Sequence, residues 1–192
     1  MTNGGQTGGA DQSEVVAIID RCLRGDQPAY TQLYECFAAG VYRLCYSLVL
    51  NHEDAEDVTQ ETFVYAFRNL HRYDAARASL KTWLYTIAVS RSRNVHRRRQ
   101  LTQIDLAQIF ERFTEPQSST PEAAVAHRAA ADALASALAA LPVNMREAVV
   151  LRYGHGLTYR EIAEVMKCPP KTAESRIRLA HRQLRGLLQP VG

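Results

Sequence analysis

The chain has 192 residues, of which 46% are apolar, with 23 Lys and Arg against 20 Asp and Glu. Its ten Gly and seven Pro are too few for a collagen-like chain, and its ordinary apolar fraction excludes a wholly disordered one. The longest nearly apolar stretch, 133–141, is far shorter than the roughly 20 residues that a membrane span requires. The length favours one medium domain or two small ones.

The N-terminus and the cysteines indicate a reduced, intracellular environment. Residues 1–12 contain neither the basic nor the apolar segment of a secretory signal, so we expect a disordered leader and a cytoplasmic protein. Cys22, Cys36, Cys45 and Cys168 include no C-x-x-C pair, and no His lies at metal-ligand spacing from them. We expect reduced, buried thiols rather than a metal site or a disulfide framework, and no cofactor.

Charge is segregated along the chain. The net charge of +3 combines −7 over residues 1–67, +8 over 68–100, −3 over 101–145 and +5 over 146–192. Two basic blocks separated by acidic ones are typical of a protein that contacts a polyanion at two places. Two solvated helix faces are the alternative explanation.

The first three predicted elements are helices with apolar residues at three- and four-residue spacing. Ser13 is expected to cap the first helix, which ends at Gly25. Asp26 and Pro28 are expected to start a long second helix. Asn51 is expected to cap a third helix, whose first turns are acidic, as the helix dipole favours.

A loop over 71–78 leads to a predicted fourth helix over about 79–99. Residues 100–121 lose the helical periodicity and gather Gln, Ser, Thr and Pro, which indicates a linker. Thr120 and Pro121 then have the types expected at the cap and first turn of an Ala-rich helix.

The predicted fold class is all-α, because no alternating Val- and Ile-rich run indicates a strand. We expect two small helical domains, 13–99 and 122–192, joined by a flexible linker. The second domain is expected to contain a helix-turn-helix.

That helix-turn-helix prediction starts from a capping box. Thr158 and Glu161 have the spacing at which each side chain bonds the other residue's backbone N–H. The helix they start stops near Met166, and 167–169 form a short turn before Pro170, a residue type suited to a helix's first position. Two helices joined by so short a turn are typical of units whose second helix enters the DNA major groove.

The second helix of this unit has two opposed faces when its residues are placed at about 100° intervals. The apolar face carries Ala173, Ile177, Ala180, Leu184 and Leu187. The opposite face carries Lys171, Ser175, Arg178, Arg182 and Arg185, with Glu174 at its edge. This pattern predicts a DNA-reading face, and a solvated basic face is the alternative.

The predicted fourth helix combines cations with aromatic residues. Its inward face carries Leu80, Leu84, Ile87 and Val95, with Trp83 at the edge. The other side carries Thr82, Tyr85, Val89, Ser92, Arg93 and His96, followed by Arg97–Arg99. Cations beside exposed aromatic rings suit single-stranded or melted nucleic acid, with Tyr85 as the candidate for base stacking and Trp83 assigned to the core.

An acidic segment, 54–63, precedes that helix. Compensation of the helix dipole explains its charge, and the functional alternative is a docking surface for a basic partner.

These segments, in this order, resemble the extracytoplasmic-function sigma factors of bacterial RNA polymerase. Residues 54–67 (DAEDVTQETFVYAF) and 82–99 (TWLYTIAVSRSRNVHRRR) resemble the family's second conserved region, and 141–188 resemble its fourth. The likeness covers nearly the whole chain apart from the leader and the linker.

The resemblance implies a role for each surface. The residues expected to dock on the clamp coiled coil of core RNA polymerase are Asp54, Asp57, Gln60 and Glu61, and the polymerase flap is a second expected contact. Those expected to capture the unpaired minus-ten bases are Arg72, Arg77, Ser79, Lys81, Thr82, Tyr85, Ser92, Arg93, His96 and Arg97. Those expected to read the minus-35 duplex are Lys171, Thr172, Ser175, Arg176, Arg178 and Arg182. An anti-sigma factor is a further expected partner.

The sequence therefore predicts a transcription initiation factor rather than an enzyme. It contains no phosphate-binding loop of the G-x-x-x-x-G-K-[ST] type, no H-E-x-x-H and no G-x-S-x-G. The alternative is a stand-alone helix-turn-helix regulator that binds duplex DNA as a dimer. The acidic segment paired with a separate basic and aromatic helix counts against that alternative, since such a regulator has no use for either.

Overall fold

The computed structural model describes residues 12–102 and 133–188. In these two ranges every regular element is helical, which confirms the predicted all-α fold class. No helix in the described ranges is long and apolar enough to cross a membrane. The predicted leader up to residue 11 and the predicted linker from residue 103 onward lie outside the described residues.

The first helix, α1 (Gln12–Leu23), ends at Gly25, whose φ of 87° lies in the left-handed region that glycine adopts readily. The prediction that Ser13 caps α1 is wrong, because the helix already includes Gln12. Asp26 precedes the next helix as predicted, but its carboxylate accepts a hydrogen bond from Arg21 Nε at 2.7 Å instead of capping the helix.

The second helix, α2 (Gln27–Val49), runs through the centre of the N-terminal half and packs against α1 and the two helices that follow. It has Pro28 in its first turn, where a missing N–H costs nothing. It ends at Leu50, which adopts a left-handed φ of 57° and donates its N–H to the Tyr46 carbonyl at 2.8 Å.

The third helix, α3 (His52–Arg68), begins as predicted, with Asn51 Oδ1 accepting the backbone N–H of Asp54 at 2.9 Å. A single 3₁₀ turn, Leu70–Arg72, follows it. The cap satisfies one of the N–H groups that every helix leaves free at its start.

The fourth helix, α4 (Leu80–Thr102), starts where the sequence predicts, and Ser79 Oγ accepts the N–H of Thr82 at 3.2 Å. It extends three residues beyond its predicted end. Residues 100–102, predicted as linker, are therefore helical.

The described residues from 133 onward form four helices. The described part of α5 covers 133–139, and α6 (Val143–Val149) continues into a wider π-helical turn, Val150–Gly154. The last two helices are α7 (Tyr159–Met166) and α8 (Pro170–Leu188).

The predicted capping box and turn are both present between the π-helical turn and α8. Glu161 donates its N–H to Thr158 Oγ1 at 3.3 Å, and Thr158 donates its N–H to Glu161 Oε2 at 2.8 Å. After α7, Lys167 adopts a left-handed φ of 52°, and Cys168 donates its N–H to the Ala163 carbonyl at 2.9 Å. The capping box starts α7, and the turn at 167–169 then redirects the chain into α8. This arrangement confirms the predicted helix-turn-helix.

The two halves pack against each other. Helix α4 lies against α7, and α2 lies against α6 and the π-helical turn. One continuous cluster of buried apolar side chains includes Leu44, Val89, Leu151 and Ile162, which come from both halves. In this structure the N-terminal and C-terminal helices therefore share a core.

The cysteines are unpaired thiols. Cys22 and Cys45 are buried, and burial raises the pKa of the Cys45 thiol to about 11. Cys168 is partly exposed. Cys36 is exposed, so the prediction that all four thiols are buried is wrong for this residue, which lies on the outward side of α2.

Candidate nucleic-acid interface

Helix α8 has the two opposed faces that the sequence predicts. Ala173, Ile177 and Ala180 are buried against the C-terminal helices, and Leu184 is partly buried in a second small cluster. The prediction that Leu187 belongs to this inward face is wrong, because its side chain is 51% exposed and the described elements cover α8 only as far as Leu184.

The outward face of α8 carries the predicted duplex-reading residues. Lys171, Arg178 and Arg182 are exposed, whereas Thr172, Ser175 and Arg176 are half-buried near the start of the helix. The first turn contains no acidic residue. Cations and hydroxyls at the exposed start of a recognition helix can contact phosphates and base edges.

Two tyrosines beside α8 were missed by the sequence analysis. Tyr153 is 60% exposed, and its ring lies 5.0 Å from the ring of His181. Tyr159 is 40% exposed and lies 5.0 Å below the Arg152 guanidinium. Both tyrosines line a groove that also contains Arg178 and Arg182. Tyr159 directly follows the Thr158 cap, so its place at the start of α7 could have been predicted from the sequence.

The acidic docking residues predicted on α3 face outward. Asp57, Gln60 and Glu61 are exposed, and Asp54 is half-buried in the first turn. Glu61 lies 3.7 Å from Arg91 of α4, a distance at which an exposed ion pair contributes little to stability. The Asp57 and Glu61 carboxylates therefore lie at the surface of α3.

The residues predicted to bind the minus-ten bases divide into three groups by exposure. The exposed residues are Arg72, Arg77, Lys81 and Arg97. The half-buried residues are Ser79, Arg93 and His96. The buried residues are Thr82, Tyr85 and Ser92, with relative exposures of 2%, 3% and 1%. The prediction that Tyr85 and its neighbours form an exposed face is wrong in this structure, since both α2 and α7 pack against α4.

Tyr85 makes its polar contact across the two halves. Its hydroxyl lies 2.9 Å from His155 Nδ1, and the two rings meet edge to face with centroids 5.0 Å apart. Lys81 Nζ donates to the His155 carbonyl at 3.0 Å. Gly40 of α2 leaves room for the hydroxyl, because a Cβ at that position would lie 3.2 Å from it.

Burial keeps both members of this pair neutral. It raises the pKa of Tyr85 to about 12 and, together with Lys81 and Arg43, lowers the pKa of His155 to about 4. At neutral pH the contact therefore joins a neutral phenol to an uncharged imidazole, and the tautomer of the ring decides which of the two donates.

Arg93 makes a second contact of this kind. Its Nε and Nη2 donate to the two carboxylate oxygens of Glu147 at 2.7 and 2.6 Å. The Glu147 side chain is only 2% exposed, whereas that of Arg93 is 40% exposed. The neighbouring Arg146 donates from Nη1 to the Leu48 carbonyl at 3.0 Å, which ties α6 to the end of α2.

The segment before α4 is held by local bonds. Asp74 Oδ1 accepts the N–H of Ala76 at 2.9 Å, and the Tyr73 hydroxyl donates to the Ala78 carbonyl at 3.0 Å. The Tyr73 ring lies 5.5 Å from that of Trp83, which packs against the core as predicted. In the described ranges, no group of three or more His, Cys, Asp and Glu residues is positioned to hold a metal ion.

Comparison with known protein families gives two matches. Residues 33–102 match the family model described as Sigma-70 region 2, and residues 131–184 match the one described as Sigma-70, region 4. Together they include α4, α7 and α8 as far as Leu184.

Individual relatives match over almost the full length. The RNA polymerase sigma-H factor of Pseudomonas aeruginosa is 31% identical over 187 residues, covering 94% of this chain and 96% of that protein. The ECF RNA polymerase sigma-E factor of Escherichia coli is 32% identical over 181 residues, covering 91% and 94%.

Solved structures give the same fold. CnrH in complex with the cytosolic domain of CnrY superimposes with a TM-score of 0.68 at 26% identity, covering 92% of this chain and 97% of that one. The sigma factor RpoE of Bartonella quintana, in complex with the anti-sigma factor NepR, gives 0.66 at 23% identity, covering 85% and 98%. At that identity the second match concerns the fold alone.

Proposed function

The chain belongs to the extracytoplasmic-function sigma factors of bacterial RNA polymerase, and from that membership we propose how its surfaces divide the work of transcription initiation. It is an RNA polymerase sigma factor that directs promoter recognition. In this role it supplies binding surfaces rather than a catalytic centre, and we assign it no enzymatic activity and no cofactor.

The C-terminal domain, proposed as 122–192, reads the minus-35 element as duplex DNA. The supporting observation is the exposed basic face of α8, directly after the short turn of the helix-turn-helix. Lys171, Arg178 and Arg182 are positioned for phosphates or base edges, with the half-buried Thr172, Ser175 and Arg176 beside them. Tyr153 and Tyr159 extend this surface along the groove.

The N-terminal domain, proposed as 13–99, captures the melted minus-ten strand. Arg72 and Arg77 are exposed before α4, and Arg97 is exposed near its end. Between them lie Ser79, Lys81, Thr82, Tyr85, Ser92, Arg93 and His96. The exposed cations suit the phosphates of an unpaired strand, whereas Thr82, Tyr85 and Ser92 are buried in this structure.

Polymerase binding is assigned to α3. Asp54, Asp57, Gln60 and Glu61 form an acidic surface that suits a basic clamp coiled coil, because opposite charge accelerates and orients docking. The C-terminal domain would contact the flap, and residues 100–121 would link the two domains across the polymerase.

An anti-sigma factor is the proposed inhibitor, and the cytoplasm the proposed location. Two structures with the same fold are, by their titles, a complex with the cytosolic domain of CnrY and a complex with the anti-sigma factor NepR. A factor that acts on polymerase at chromosomal promoters must be in the compartment that contains the chromosome, which in bacteria is the cytoplasm.

The test is reconstituted transcription. Purified chain is added to core polymerase on fragmented genomic DNA from its own organism, and the 5′ ends of the transcripts are mapped. The expected result is new start sites that share two upstream elements and disappear when the chain is omitted. Tight binding to a palindromic duplex without polymerase, together with unchanged start sites, would instead identify a stand-alone dimeric regulator.

A further inference from the structure

Helix α8 carries one acidic side chain among its cations. Its sequence contains Glu174 together with Lys171, Arg176, Arg178, Arg182 and Arg185. Glu174 is exposed and lies one turn after Lys171 and one turn before Arg178, so these three side chains are neighbours on the helix surface. The carboxylate therefore borders the face that is assigned to the minus-35 duplex.

Interactions within the chain do not explain this carboxylate. In the parts of the chain that the structure describes, it forms no hydrogen bond and no ion pair, not even with Arg178. Compensation of the helix dipole is effective in the first turn, and the first turn of α8 contains no acidic residue. Glu174 instead lines the open groove that also contains Tyr159 and Arg178.

A carboxylate on a DNA-reading face discriminates among bases. DNA phosphates repel it, so it lowers affinity for duplex DNA unless it accepts a hydrogen bond from a base. Cytosine presents only a donor, its N4 amino group, in the major groove. Adenine presents a donor beside the N7 acceptor, which repels a carboxylate, whereas guanine and thymine present acceptors. Cytosine is therefore the base that a carboxylate favours.

We propose that Glu174 determines part of the sequence of the minus-35 element by accepting a hydrogen bond from the N4 amino group of one cytosine. This role rests on the function proposed for α8 and adds to it a residue that sets specificity. Lys171 and Arg178 flank the carboxylate along the helix and suit a phosphate or a guanine edge on either side. The cations then supply affinity, and the carboxylate supplies discrimination.

The position of Glu174 along α8 supports contact with a base. It is the fifth residue of the helix, and recognition helices contact base edges through residues near their N-termini. The buried neighbour Ala173 holds this turn against the C-terminal helices, while the Glu174 side chain lies outside the core. The carboxylate can therefore meet a base edge without any unpacking of α8.

The experiment changes Glu174 in the holoenzyme. Core polymerase is assembled with the full chain as the wild type, Glu174→Gln or Glu174→Ala. The template is one promoter found in the reconstituted transcription test, with every base pair of its upstream element randomised and a barcode in its transcribed part. Sequencing of the transcripts then gives the base preference at each upstream position. The matched control is Glu35→Gln, which removes the same charge from an exposed position on α2.

The wild type is expected to prefer cytosine at one position of the upstream element. Glu174→Ala should reduce that preference at least about fivefold and leave the other positions unchanged, because it removes a single base contact. Glu174→Gln should shift the preference at the same position toward adenine, since an amide can donate to N7 and accept from N6. The control should keep the wild-type preference at every position.

Unchanged base preferences in both Glu174 variants would overturn the proposal. Equal weakening at every position, or a uniform gain in transcripts from all templates, would also overturn it, because Glu174 would then act through the fold or through phosphates. A preference is a ratio within one protein, so a less active variant still gives an answer. An absence of promoter-specific transcripts from the wild type would instead contradict the proposed function, and this role of Glu174 with it.

Discussion

Arg93 and Glu147 lie 54 residues apart in sequence and form a two-pronged ion pair between α4 and α6, with N–O distances of 2.7 and 2.6 Å. The carboxylate is almost completely buried, and the guanidinium is less than half exposed. Hydrogen bonding to the Glu147 carboxylate raises the pKa of Arg93, which stays protonated. Removal of Arg93 would leave the buried Glu147 carboxylate without the guanidinium that it pairs with, which is costly, so this pair is a strong link between the halves.

The first prediction concerns the strength of that link. A double-mutant cycle with Arg93→Ala and Glu147→Ala, measured by urea unfolding, should give a coupling energy of about 2 kcal/mol, reduced from the fully buried range by the exposure of Arg93. The control cycle uses Arg21→Ala and Asp26→Ala, whose pair is as short but more exposed. It should give about 0.5 kcal/mol. Equal values in the two cycles would contradict the special role of the interface pair.

The second prediction is a pH dependence centred on His155. Its pKa is about 4 in the folded structure and near 6.5 in the unfolded chain, so the unfolded chain binds more protons between these values. Stability is therefore full above pH 6.5 and falls as the pH drops toward 4, because burial disfavours the protonated ring and Lys81 and Arg43 repel it.

Urea unfolding measures this effect. Lowering the pH from about 7.5 to about 5.5 should cost the wild type about 1 kcal/mol more than it costs His155→Ala, which lacks the titrating group. The same loss in both proteins would mean that other groups titrate instead.

The third prediction concerns the recognition helix. Arg178→Ala should weaken binding to the minus-35 duplex, once that element is mapped, by about 1–3 kcal/mol if the side chain contacts a base edge. Arg24→Ala removes the same charge from an exposed site far from α8 and serves as the control. If Arg178→Ala binds the minus-35 duplex as tightly as the wild type does, Arg178 belongs to a solvated face that does not contact DNA.

The fourth prediction concerns polymerase docking. Asp57→Arg should lower affinity for core polymerase roughly tenfold while leaving the fold intact, because the side chain is exposed and charge reversal opposes a basic partner. Glu35→Arg makes the same reversal at an exposed position on α2. Equal co-purification of the two variants with core enzyme would count against α3 as the docking surface.

The fifth prediction concerns the capping box. Thr158→Ala should destabilise the chain by about 1 kcal/mol, since Glu161 loses the acceptor for its N–H, and Thr158→Ser should retain most of that stability. Thermal unfolding of the three proteins measures the difference. Equal melting temperatures for Thr158→Ala and Thr158→Ser would show that the hydroxyl does not contribute to stability.

The sequence by itself determined the elements that depend on local chemistry. The Asn51 cap, the capping box at Thr158 and Glu161, and the turn before Pro170 follow from bonds between residues three or four positions apart. The buried face of α8 follows from the helical period as far as Ala180. The ends of helices were harder to predict from the sequence. Helix α4 continues to Thr102, because none of the residues directly after Arg99 prevents a helix.

Only the tertiary structure decided what the outward face of α4 touches. Helical periodicity assigns Tyr85 and Arg93 to the outward face of α4, but it does not say whether water, α2 or another domain lies beyond them. The partners, His155 and Glu147, lie 70 and 54 residues further along the chain, and no local pattern links them. Packing of the two halves buries these groups, shifts the pKa of His155 and turns a predicted DNA surface into an interface between domains.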